Sequence, residues 1–160
     1  LSRCFDPSRG RRVVRCQADR RRYRSNRICV LSMQHLRRTP PEWWEQQARE
    51  DLVTAKVNLD AGRFYAAAFF SHQVAEKAIK SVIIRREQEM PYTHSLKRLL
   101  AVCQVPPPVK EAALNLAPEY GRAKCPYHAG GVPAKLCDAG RAAECIARGE
   151  LVLNWASGLA

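Results

Sequence analysis

Residues 67–83 (AAFFSHQVAEKAIKSVI) carry the clearest pattern in the chain. Gln73, Glu76, Lys77 and Lys80 recur at steps of three and four, so on a helix they line up as one stripe. Ala67, Phe70, Val74, Ala78 and Val82 take the opposite side, widened by Ala68, Ala75 and Ile79. An apolar arc that broad has to be covered by at least two neighbours. The pattern predicts a helix over about residues 64–87, closing in the charged run Arg85, Arg86, Glu87, Gln88, Glu89. The polar stripe reads either as a solvated face with a Glu76–Lys80 pair or as a contact or ligand surface, since Phe69 and Ile84 share it.

Other helices follow on either side. Pro41, with Glu42 and Glu45 in the first turn, opens one that runs to Ala61, where Gly62 stops it. It carries two apolar stripes, Trp44, Ala48, Leu52, Ala55 and Leu59 on one side and Trp43, Val53, Val57 and Ala61 on the other. A helix apolar on two faces sits centrally or meets another subunit. A turn at Met90, Pro91 and Tyr92 leads to a short helix over 94–103, and a fourth helix follows Pro106, Pro107 and Pro108. Pro118 kinks or divides that helix before Tyr120. Residues 125–134, with two prolines and two adjacent glycines, read as a loop, and residues 135–157 as the last helix. Nothing alternates convincingly with period two. The prediction is an all-α domain over residues 41–160, an up-and-down antiparallel bundle of four to five helices with short connections.

Charge changes this picture at one end. The chain carries a formal +12, and residues 1–32 hold ten arginines against two aspartates, leaving +4 for the remainder. Residues 1–40 thus read as a basic arm with no means of burying itself, expected to be disordered. It fits a nucleic-acid-binding arm, a targeting peptide, or sequence upstream of a natural start at Met33. The seven cysteines show no zinc-like spacing; Cys125 and Cys137 are separated by eleven residues. No metal or cofactor is implied. Free thiols point to a reducing, cytoplasmic setting, and no apolar run is long enough for a membrane span.

Several stretches, taken in order, resemble the HEPN domain family: Ala48–Leu52 with Ala55 and Leu59, then residues 62–68 (GRFYAAA), 73–80 (QVAEKAIK), 93–96 (THSL) with Leu99 and Leu100, and the alanine-rich helix from Ala139 to Trp155. The resemblance covers about residues 42–159. It implies a helical bundle, usually dimeric, often encoded beside a minimal nucleotidyltransferase with which it forms a two-component, toxin–antitoxin-like system. Some branches are metal-independent ribonucleases that use an arginine and a histidine four to six residues apart; others are nucleotide-binding or interaction modules.

Arg122 and His128, five residues between them, match that pair. The chemistry suits the residue types: an imidazole takes the proton of a 2′-hydroxyl, and a guanidinium fork stabilises charge on phosphoryl oxygens. Lys124 and Tyr127 are placed to help hold phosphate, and Lys77, Lys80 and His94 are further phosphate candidates. Another branch of the family reads Tyr-x-x-Ala-Arg-Tyr-Pro here, and residues 120–126 (YGRAKCP) align with it, Lys124 standing for the arginine and Cys125 for the tyrosine. His94 is expected to tie its loop to the long helix, His72 to lie on the surface, and Trp43 and Trp44 to serve packing or dimer contact. Arg85, Arg86, Lys97 and Arg98 form a basic cluster suited to RNA or an acidic partner.

Overall fold

The computed structural model describes residues 39–86 and 92–159, together with two short strands near the N-terminus, β1 (Cys4–Asp6) and β2 (Arg11–Val13). The chain divides into two units, residues 1–36 and 37–160. In the first, β1 and β2 pair antiparallel with Phe5 opposite Arg12. Residues 1–3, 7–10 and 14–38, Met33 included, lie outside the described residues, as do residues 87–91 beyond the second helix.

The second unit is helical throughout its described elements. Helix α1 (Pro41–Asp60) starts on a proline whose missing N–H costs nothing at the first helical position. It stops at Gly62, whose φ of +69° lies in the left-handed region open to glycine. The tight turn sends α2 (Phe64–Arg85) back along α1. Helix α8 (Ala139–Ser157) then lies across both, capped by the Asp138 carboxylate, which accepts from the Arg141 backbone N–H at 2.8 Å. That cap places the start of α8 four residues later than the apolar pattern suggested. Helices α3 (Leu96–Val102) and α4 (Pro107–Leu116) pack on α2 and on each other, and α4 also on α8, with Pro107 and Pro108 forming the first turn of α4.

Helix α2 is the spine. Val74, Ala78, Ile79, Val82 and Ile83 are buried with Leu96 and Leu99, Val109, Ala113 and Leu116, and Val152, Leu153 and Ala156. Ala55, Ala67, Ala142 and Ile146 form a second cluster where α1, α2 and α8 meet. The covered arc was expected; the covered polar stripe was not. Glu76 and Lys80 are almost fully buried, joined at 2.7 Å, with the Lys80 ammonium 5.1 Å from the Trp44 ring centroid. Lys77 donates to Asp51 of α1 and, at 3.2 Å, to Gln73, while Gln47 donates to Asp51 at 3.0 Å. The stripe is therefore an internal ion-pair layer between α1 and α2, not a solvated face. His72, expected on the surface, is fully buried.

The two apolar stripes of α1 separate. Ala48 and Ala55 are buried, whereas Trp43, Val53 and Val57 stay more than half exposed. Where α8 crosses α2 the backbones nearly touch: a Cβ on Gly149 would stand 3.1 Å from the Ser71 carbonyl oxygen. A Gly149→Val chain is expected to lose about 1–3 kcal/mol by overpacking, measured as a fall in urea midpoint at unchanged slope. An unchanged midpoint would mean the helices part freely there.

Candidate functional site

Three prolines shape the segment between α4 and α8. Pro118 has no N–H to continue α4, so the chain begins again as a single turn, α5 (Glu119–Arg122). Cys125 is extended, as a residue before proline must be, and Pro126 opens a second turn, α6 (Pro126–Ala129), ended by Gly130 at φ +75°. Val132 and Pro133 repeat the device to start α7 (Pro133–Leu136). The stretch read as a loop, 125–134, thus holds the single turn α6 and the start of α7, each begun by its proline, and α7 takes up residues 135 and 136, read as the start of the last helix.

The reversal at residues 123–125, where the Lys124 and Cys125 N–H groups both donate to the Gly121 carbonyl, folds α6 back on α5. His128 lands against Gly121: its Cγ lies 3.3 Å from where a Cβ at that position would stand. Its ring therefore sits beside the residue that precedes Arg122. Pro126 interrupts the helix and at the same time produces this approach. Both side chains are exposed, and Tyr127, 89% exposed, meets the His128 ring edge-on at 5.6 Å. Lys124 is exposed too; its ammonium donates to the Tyr120 hydroxyl at 3.3 Å and stands 4.4 Å from that ring's centroid and 5.8 Å from that of Phe69.

Tyr120 joins this edge to the bundle. Its ring stacks on His94 at 5.3 Å and 9°, and His94 Nδ1 lies 3.0 Å from the buried Glu76 carboxylate. The expectation that His94 ties its loop to the long helix holds, and the tie extends to α5. His72 lies 5.3 Å from Tyr120 on the inner side, 3.9 Å from Glu76 Oε2, with neither ring nitrogen hydrogen-bonded. Burial pushes its pKa down to about 4; Glu76 opposes that shift, while His94, Lys77 and Lys80 add to it. Of the phosphate candidates, Lys124 and Tyr127 share the exposed edge with Arg122 and His128. Lys77 and Lys80 have their charges matched inside the bundle.

A cavity of about 270 Å³ opens beside Arg122. Its wall is formed by Tyr65 and Ala68 of α2, Glu119 and Arg122 of α5, Leu136 of α7 and Arg141 of α8. Glu119 is 4% exposed; Arg141 donates to its Oε1, and the Arg122 guanidinium lies 3.6 Å from the same oxygen. Glu119 Oε2 has no hydrogen-bond partner among the described residues. Cys137 also borders the cavity, with burial pushing its thiol pKa up, so it stays protonated. Neither Glu119 nor Arg141 stands out in the sequence: they are 22 positions apart, and only the packing of α5 near α8 pairs them.

An antiparallel helical bundle with a basic, histidine-bearing edge just before its last helix defines the class of domain. The HEPN domain family pattern matches residues 41–159, and the chain belongs to that family. The chain is similar to TT1696 from Thermus thermophilus, with 29% identity and a TM-score of 0.69 over 74% of this chain and 96% of that one. It is also similar to ST0689, an archaeal HEPN homologue, with 29% identity and a TM-score of 0.67 over 76% and 98%. An HEPN domain protein from Thermotoga maritima shares the fold at 23% identity, with a TM-score of 0.54 over 72% and 95%. Among curated proteins none matches this chain. No helix among the described residues is long and apolar enough to cross a membrane.

Proposed function

We propose that the chain is the HEPN component of a two-component, toxin–antitoxin-like system with a minimal nucleotidyltransferase, working as a cytoplasmic homodimer that cleaves RNA through Arg122 and His128. The observation that supports this most is the fold-back that seats His128 on Gly121, next to Arg122, on an exposed edge. In this reading the His128 imidazole takes the 2′-hydroxyl proton, the Arg122 guanidinium holds the phosphoryl oxygens, and Lys124 and Tyr127 steady the neighbouring phosphate. The exposed stripe of Trp43, Val53 and Val57 supports a second copy as the partner of α1.

A second reading has its own support. Arg122 leans toward Glu119 and lines the cavity, and His128 is not among the residues of that wall. Here Arg122 and Lys124 hold the phosphate of a nucleotide or partner and His128 transfers no proton. Single Arg122→Ala and His128→Ala substitutions separate the two. Both positions are exposed, so folding is expected to survive. RNA cleavage by the purified chain is expected to fall by about a hundredfold or more in each. Cleavage that is absent from the parent, or indifferent to both substitutions, removes the ribonuclease reading.

A further inference from the structure

We propose that the cavity between α2, α5 and α8 is a base-recognition pocket selective for guanine, the base lying next to the phosphate that Arg122 holds. This rests on the reading of Arg122 as a phosphate ligand and adds to it the identity of the base. Arg122 belongs to both places: it lines the cavity and stands on the exposed edge with Lys124 and His128. A nucleotide bound there draws its guanidinium from Glu119, where the 3.6 Å separation is loose, onto phosphate.

That displacement frees the carboxylate. An ionised carboxylate offers about four acceptor positions. Arg141 keeps one, on Oε1, and fixes the group in place. Oε2 accepts no hydrogen bond among the described residues and is not one of the buried unpartnered atoms, so solvent still reaches it, and Glu119 forms part of the cavity wall. A ligand that enters and displaces water from that oxygen has to bring N–H donors for the lone pairs the water leaves. Of the four RNA bases, guanine alone presents two adjacent donors, N1–H and the 2-amino group, on its Watson–Crick edge. Adenine and cytosine set their amino group beside a ring-nitrogen acceptor, and uracil sets its N–H between two carbonyls; the carboxylate repels each of those acceptors. The volume of about 270 Å³ falls just under the roughly 300–1,000 Å³ of small-molecule pockets, which suits one base. Tyr65 supplies an aromatic wall, and Ala68, Ala123 and Ala129 keep the interior open.

The test is direct binding of the four nucleoside 3′-monophosphates to the full chain by calorimetry. Guanosine 3′-monophosphate is expected to bind about tenfold or more tightly than the other three, in line with a bidentate base contact. Glu119→Gln keeps an acceptor for Arg141 but turns one guanine-facing acceptor into a donor, and is expected to level the four affinities. Ala129→Phe narrows the cavity without touching the Glu119–Arg141 pair and is expected to have the same effect, which covers a Glu119→Gln chain that fails to fold. Equal affinities in the parent, or a guanosine preference that survives in folded Glu119→Gln or Ala129→Phe, overturn the proposal. Binding is read without cleavage. Guanosine preference in a chain that cuts no RNA removes the ribonuclease and keeps the pocket; RNA cleavage with equal affinities does the reverse.

Discussion

A Glu76→Ala chain is expected to lose about 3–5 kcal/mol of folding stability, the cost of leaving a buried charge without its partner. Glu76 is 2% exposed and Lys80 7%, with 2.7 Å between carboxylate and ammonium. Removing the acid strands the Lys80 charge against the Trp44 ring and cuts His94 loose from α2. Urea unfolding at about pH 7.5 measures the loss. The double variant Glu76→Leu with Lys80→Met should recover most of it, because replacing both partners by apolar groups removes the desolvation problem as well as the attraction. A double variant no better than Glu76→Ala would mean that the pair stabilises by attraction, and the account of a stranded charge would fail.

The second large effect is a loss of stability on acidification. His72 has an ordinary imidazole pKa of 6.5 when unfolded and one of about 4 in the bundle. Between those values the unfolded chain binds a proton that the folded chain refuses. Stability therefore rises with pH across the window. The contribution is complete above about 6.5 and falls away as the pH drops toward 4, amounting to about 3 kcal/mol in all. Unfolding midpoints taken from about pH 7.5 down to about 4.5 should show the slope. His72→Phe isolates it from the carboxylates that also titrate near its lower end. Neither His72 nitrogen has a hydrogen-bond partner, so the phenyl ring forfeits none and can rest beside Tyr120. That variant should match or exceed the parent at neutral pH and lose most of the slope. An undiminished slope in His72→Phe would assign the acid sensitivity elsewhere.

Both effects come from a layer that the sequence marked without disclosing its role. The spacing of Gln73, Glu76, Lys77 and Lys80 located a stripe correctly, and the broad arc from Ala67 to Val82 located the core. Whether a polar stripe faces water depends on what lies opposite. Asp51 meeting Lys77 follows from the register of α1 on α2, which no local pattern encodes. His72 sits on the border of the two faces, where periodicity is least informative and packing decides. Pro41, Gly62 and Pro118 announced their breaks because proline and glycine act through their own backbones. Helices of four residues, such as α6 and α7, span little more than one turn and have no period to read. The candidate pair was legible through family resemblance in the spacing of Arg122 and His128, while the fold-back that brings His128 against Gly121 depends on a hinge geometry visible only in three dimensions. Glu119 and Arg141 carried no mark at all.

The division of labour between α2 and the proline-started turns has an evolutionary side. No residue of the spine is exposed and more than half are buried, so changes there are felt by the whole domain. The turns of residues 119–136 present most of their side chains outward and touch the bundle through a few points, chiefly Tyr120 and the Glu119–Arg141 pair. Side chains along this rim can change one position at a time while the scaffold's foldability is inherited intact.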